Sequence, residues 1–171
     1  MKISIGCDHI VTDIKNHVVK YLKEKGHEVI DNGTYDYERT HYPIYGKKTA
    51  EKVVNNEADI GIVICGTGVG ITTSAVKVKG ARATLVRDVE TARYAKEHLN
   101  ANILGLGGRI CGIGLLENII DVFLETEYQE TEESKELIRK LDSMSSENGL
   151  GDEAYFDEFL EKWNNGGYPN H

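Results

Sequence analysis

Several features that mark large protein classes are scarce in this chain. Its 171 residues include only three cysteines, Cys7, Cys65 and Cys111, an odd count without short framework spacing. That pattern excludes a disulfide-stapled secreted scaffold and fits a reducing compartment, so a cytoplasmic location is expected. No apolar run approaches the roughly 18 residues that suggest a membrane-spanning helix. The opening MKISIGCDH reads as a strand rather than a secretion signal, since it has neither a long apolar segment nor a small-residue cleavage site. Basic charge is also scarce: 20 Lys and Arg against 28 Asp and Glu leave a net charge of -8. Nucleic acid is therefore not an expected partner, because phosphate backbones are bound by basic surfaces. A small anionic metabolite is still allowed, since a few local donors outweigh a distant negative field. The histidines are scattered, and no Cys/His pair has finger-type or H-x-x-x-H spacing, so no metal is expected. A P-loop, a Ser-centred nucleophile elbow and internal repeats are all missing.

The chain does contain alternating strand and helix signals, over a length suited to one domain with a real core. Strand patterns fall at Lys2–Cys7, Glu28–Asp31, Ile60–Cys65, Ala83–Val86 and Ile103–Leu106. Helical patterns fall at Asp13–Lys25, Ile44–Asn55, Ile71–Val78, Val89–His98 and Gly114–Leu124. In the first of these, Ile14, Val18 and Leu22 share one face with Val19 beside them, and Gly26 is placed to stop the helix. Such βαβα repetition predicts an α/β fold with a doubly wound, five-stranded parallel sheet. After Glu125 the character changes. Glu127–Asp142 and Asp152–Trp163 read as charged amphipathic helices separated by the Ser/Asn/Gly-rich Ser143–Gly151. Their apolar residues (Leu137, Ile138 and Leu141; Tyr155, Phe156, Phe159, Leu160 and Trp163) need a partner surface. We therefore expect an α/β domain at 1–125 and a helical arm for packing or oligomerisation at 126–171.

The most informative stretch is Ile60–Thr73, IGIVICGTGVGITT. A buried strand ends in Cys65, and Gly66, Thr67, Gly68 and Gly70 then open a helix. In open α/β sheets, ligands bind at the carboxyl ends of the strands. Glycines let the backbone approach an anion there, and a helix N-terminus favours negative charge. A cysteine closing an apolar strand is more often a packing residue than a catalyst. Oriented N–H groups beside it shift the balance, because they favour a reactive thiolate. The loop is not a full G-x-G-x-x-G fingerprint, and a tight strand-to-helix turn explains its glycines equally well. Asp8 and His9 leave the first strand on the same sheet edge, although Asp8 also suits a helix N-cap. Arg109, in GLGGR, emerges at the strand ends and is a better anion ligand than Arg39 in the loop after strand two. His98 closes a helix, where an imidazolium would favour the C-terminus. Cys7 and Cys111 read as packing residues.

GCDH, EVIDNGTY followed by YP, ADIGIVICGTGVGI, HLNAN and LGGRICG together resemble the type B ribose-5-phosphate isomerase and galactose-6-phosphate isomerase family over roughly the first 125 residues. RTHYP, KEHLNAN and the tail YFDEFLEKW extend the resemblance, toward its galactose-6-phosphate branch, along essentially the whole chain. The resemblance implies a Rossmann-like sheet, a C-terminal helix that reaches across a subunit interface, and cofactor-free aldose–ketose isomerisation through an enediol. It implies that Cys65 moves the proton between C2 and C1. Thr67 and the N–H groups of Gly66, Gly68 and Gly70 would stabilise the enediolate. Asp8 and His98 match ring-opening positions, His9 and Arg109 match phosphate contacts, and Tyr42 matches a substrate contact.

The departures from the family pattern matter as much. Homodimeric ribose isomerases carry a GGRHxxR-like arginine pair, whereas the corresponding stretch here, Glu130–Glu136, is acidic. The family's His-Asn pair is His98-Leu99 here. Acids repel a phosphate. A homologous A-type subunit is therefore expected to supply the arginines and its own His-Asn pair, in a hetero-oligomer acting on D-galactose 6-phosphate and D-tagatose 6-phosphate in lactose and galactose catabolism. The rival expectations are a homomeric ribose-5-phosphate or allose-6-phosphate isomerase, and a non-catalytic structural subunit.

Overall fold

All five expected strands are present, and every pairing between them is parallel. The computed structural model describes residues 1–144, 154 and 157–166. Strand β1 (Lys2–Cys7) leads through a short 3-10 turn (His9–Val11) into α1 (Thr12–Glu24). There follow β2 (Glu28–Asp31), α2 (Tyr42–Val54), β3 (Ile60–Cys65), α3 (Val69–Val76), β4 (Ala83–Leu85), α4 (Val89–Glu97), β5 (Ile103–Gly107) and α5 (Ile113–Glu125). Among the described residues two charged helices follow, α6 (Glu132–Ser143) and α7 (Asp157–Asn164). The strand order is β2-β1-β3-β5-β4.

The central strand β3 is buried along its whole length, as a continuous apolar run in a parallel sheet must be. Alternation along the strand sends its side chains to two cores. Ile60, Ile62 and Ile64 pack with Val18 and Leu22 of α1, Ala92 of α4 and Phe123 of α5. Val63 and Cys65 pack with Ala50 and Val53 of α2 and Ile71 and Ala75 of α3. The doubly wound expectation is thereby met. On the second face α3 lies so close to β5 that a Cβ on Gly105 would fall 1.9 Å from the Thr72 hydroxyl oxygen, so this approach needs glycine.

Element boundaries differ from expectation where capping decides them. Helix α2 begins at Tyr42 because Pro43, at its first turn, favours helix initiation. The first charged pattern, expected from Glu127, starts as a helix only at Glu132, because Thr131 and Ser134 form a reciprocal capping box. All but the first two residues of the Ser143–Gly151 connection lie outside the described residues, as do Tyr155, Phe156 and the side chains of Phe159 and Trp163. No residue of α6 is buried. An Arg82–Asp142 ion pair of 2.7 Å ties α6 to the chain before β4, and Lys140–Glu158 at 2.8 Å ties it to α7.

One buried charge stands out. Lys15 of α1 is fully buried; its Nζ donates to the Asp31 carboxylate at 2.5 Å and lies 4.9 Å from the Tyr35 ring centroid. Asp31 also accepts from the Gly33 N–H at 2.9 Å, so the pair anchors the turn that leaves β2. Among the described residues, no helix is long and apolar enough to cross a membrane.

Candidate active site

The three inner strands end side by side, with Cys7 opposite Ile64 and Cys65 opposite Gly107. Backbone bonds then stitch their loops together: Asp8 N–H to Ile64 at 3.3 Å, Gly108 N–H to Cys65 at 2.9 Å, and Arg109 N–H to Gly66 at 3.0 Å. Residues from distant parts of the sequence meet here as a direct result of parallel pairing.

Cys65 is 5% exposed, and its Sγ accepts from the Gly68 N–H at 3.1 Å. That bond depends on Gly68 adopting φ +81 as the N-cap of α3. A side chain at Gly68 would be strained and would also collide with Leu85 and the Leu106 carbonyl. Thr67 is exposed, and its hydroxyl accepts from the Val69 N–H at 3.3 Å. Tyr42, at the start of α2, lies against Gly70, where a Cβ would stand 2.8 Å from the ring. Gly66 and Thr67 follow Cys65 directly, and Gly70, with Tyr42 against it, lies in the first turn of α3.

Asp8 fills both roles that its position allowed. Its carboxylate caps the 3-10 turn by accepting from the Ile10 N–H at 3.1 Å, and it sits at the crevice edge, 5% exposed. Burial pushes its carboxyl pKa above the usual range, against the lowering influence of the Ile10 N–H and His9. His9 Nδ1 accepts from the Thr40 N–H at 3.3 Å, so a neutral ring carries its hydrogen on Nε2. Arg39 is exposed on the same loop.

Two residues are placed differently from expectation. The Arg109 guanidinium is at the right edge, but it is engaged by the Asp13 carboxylate and the Ile10 carbonyl. His98 does not join Cys65 in this chain. Helix α4 runs from the carboxyl edge back to the amino edge of the sheet, so its final cap lies at the far end of the strands. There the His98 ring lies 4.5 Å from the Tyr94 ring at a tilt of 46°, two residues from Asn100, whose carbonyl accepts from Arg82 ahead of β4. Sequence spacing gave no hint of the edge, because only the direction of the helix decides it. Asp13 and the Thr40 backbone were not expected at the site. Asp13 reads in sequence as an ordinary first-turn helix acid. Among the described residues no group of acids, histidines and cysteines is arranged to hold a metal.

The raised Asp8 pKa has a testable sign. A carboxyl raised on folding stabilises the fold fully below its ordinary pKa, near about pH 4, and that contribution is lost as pH rises through the raised value. Asp8→Asn keeps the oxygen that accepts from Ile10 and mimics the protonated state. It should fold at least as stably as the native chain at pH 7, with the advantage disappearing at low pH. Urea midpoints at the two pH values check this.

A parallel α/β sheet that gathers a buried thiol, a glycine turn and a desolvated carboxyl at its strand ends has the layout of the α/β proteins that bind small ligands at that edge. Similarity to known proteins narrows this. The ribose/galactose isomerase family matches residues 3–141, and the chain belongs to that family. It is 65% identical, over 99% of both chains, to the galactose-6-phosphate isomerase subunit LacB of Clostridium acetobutylicum. It is 42% identical to the ribose-5-phosphate isomerase B of Escherichia coli, over 75% of this chain and 86% of that one. The ribose-5-phosphate isomerase B structure from Clostridium thermocellum superposes with a TM-score of 0.84 at 42% identity, covering 86% of this chain and 99% of that one.

Proposed function

We propose that this chain is the Cys65-bearing subunit of a two-subunit galactose-6-phosphate isomerase, interconverting D-galactose 6-phosphate and D-tagatose 6-phosphate in the cytoplasmic breakdown of lactose and galactose. The observation that carries this reading is similarity along the whole length, C-terminal arm included, to a galactose-6-phosphate isomerase subunit. The ribose-5-phosphate isomerases match a shorter part of the chain.

The chemistry follows from the groups at the crevice. As a thiolate, Cys65 removes the C2 proton of the open-chain aldose, and the charge passes to O1. The Thr67 hydroxyl and the amides of the glycine turn receive this enediolate, meeting the charge where it develops. The thiol returns the proton to C1, the O2 hydroxyl proton moves to O1, and a carbonyl remains at C2. Asp8, which burial holds protonated to higher pH than an exposed carboxyl, gives a proton to the ring oxygen, and the proton leaving the anomeric hydroxyl restores the carboxyl. His9 offers its Nε2 hydrogen to the phosphate, and Tyr42 borders the sugar.

The segment that corresponds to the family's arginine pair is acidic here. Glu130 and Glu132, where the family's arginine segment falls, both pair with Lys135, at 2.7 Å and 3.2 Å. His98 at the opposite edge also supports a site completed by a second, homologous A-type subunit, with residues 126–171 serving as the packing arm. The test is turnover of galactose 6-phosphate by the purified chain with and without that subunit. Alone, the chain should be at least about 100-fold less active than the mixture. Full activity alone on ribose 5-phosphate would support a homomeric ribose isomerase. A mixture whose activity survives loss of Cys65 would support a structural role.

A further inference from the structure

We propose that Thr12 is a positioning residue, tethering the loop between β2 and α2 so that Thr40 holds the His9 ring. Thr12 opens α1 and is buried, as are Thr34 and Cys7. Its hydroxyl oxygen lies 2.7 Å from the Asp36 carbonyl and 2.6 Å from the Thr34 hydroxyl, and the Cys7 Sγ lies 3.5 Å from Thr34. One arrangement of hydrogens serves every member of this row. The Asp36 carbonyl can only accept, so the Thr12 hydrogen goes there. The His9 carbonyl, at 3.4 Å, is a poorer acceptor for it. Thr34 then donates to Thr12 and accepts from the Cys7 thiol, which burial keeps protonated by pushing its pKa up.

The row ends on a stretch with no other anchor. Residues 36–39 are exposed, and among the described residues the Thr12 bond is the only hydrogen bond joining them to the rest of the chain. The next residue, Thr40, gives its N–H to His9 Nδ1 at 3.3 Å, the only hydrogen bond to that ring among the described residues. His9 stands three residues before Thr12, so the loop closes over the histidine between tether and contact. Tyr45 of α2 offers a looser hold from the other side, its hydroxyl 3.4 Å from that of Thr40. Without the Thr12 bond the loop drifts, Nδ1 loses a fixed donor, and the Nε2 hydrogen is no longer aimed.

The kinetic part rests on the isomerase reading above, in which His9 meets the phosphate, whereas the tether itself does not. Thr12→Val keeps the shape of the side chain and removes its hydroxyl. In the assembled enzyme it should raise KM for galactose 6-phosphate and the inhibition constant of inorganic phosphate about 10-fold each, with kcat within about 2-fold of native. Thr12→Ser returns the hydroxyl and should return both constants to native. Native KM in the valine variant, or a serine variant as impaired as valine, would overturn the kinetic part. Amide exchange at Thr40, followed by NMR in the full-length chain, tests the tether without any substrate. Exchange should accelerate at least about 10-fold in Thr12→Val and stay native in Thr12→Ser, while the β3 amides keep their protection in both. Native protection at Thr40 in the valine variant would overturn the tether whatever the reaction is, because Tyr45 would then suffice to hold the loop. If valine does not fold, Thr12→Ala is read in the same two assays with the same expectations.

Discussion

Replacing Cys65 with alanine is expected to reduce kcat of the assembled enzyme by about 1,000-fold or more, in both directions, while subunits still assemble. The size of the effect follows from the thiol's position. In the proposed reaction it is the group at the end of β3 that takes and returns the carbon-bound proton, and the Gly68 N–H holds its sulfur in place at 3.1 Å. Alanine leaves that amide without its sulfur partner but keeps the packing against α2 and α3, so folding should suffer by only about 1 kcal/mol. Cys65→Ser is the informative companion. Its hydroxyl can still accept from Gly68, yet it is a far weaker acid than a thiol and does not supply the base, so it should be nearly as inactive as alanine. Exchange of the transferred hydrogen with solvent label, followed beside turnover, separates loss of proton transfer from loss of binding. Native turnover in assembled Cys65→Ala would favour the structural-subunit reading.

The largest stability loss is expected at Lys15, far from any bond-making step. Lys15→Ala removes a fully buried ammonium and leaves Asp31 facing the space it occupied. Breaking a buried pair from one side typically costs about 3–5 kcal/mol, because the remaining charge is uncompensated. Asp31 is partly accessible, with 27% of its side chain exposed, which places the expected loss near about 3 kcal/mol. Urea unfolding measures it directly. Lys15→Met combined with Asp31→Leu should recover much of the loss, since apolar replacement of both partners leaves no stranded charge. A double variant as unstable as Lys15→Ala would mean that the hydrogen bond from Gly33 to Asp31, rather than the charge pair, is what β2 depends on.

How far the sequence could be read depended on the kind of information involved. The strands were legible because β3 and β5 are buried on both faces and so are apolar throughout. The Cys65 turn was legible because a positive-φ cap leaves a glycine in the sequence, as Gly68 shows. Lys15 was not legible: a lysine among Ile14, Val18 and Leu22 carries no mark of burial until Asp31 is brought beside it by pairing of β1 with β2. The Asp13–Arg109 contact, 96 residues apart in the chain, was hidden for the same reason. His98 was matched by motif to a family position, but the motif says nothing about which sheet edge a helix ends on. The acidic stretch at 130–136 was visible in sequence, whereas the pairing of its Lys135 with Glu130 and Glu132 became apparent only with α6 in place.

The strand order also sets a timetable for synthesis. β1, β2 and β3 are the first three strands in the chain and are neighbours in the sheet, so residues up to 65 suffice to pair all three. β4 has no such early partner, because it pairs with β5 alone. On the ribosome, Ala83–Leu85 must wait until Ile103–Gly107 has emerged and reached β3 before it can join the sheet. Such non-local pairing is slow and exposes strand edges in the meantime. The short length of β4, three residues, limits the unpaired edge that the waiting chain presents to its neighbours.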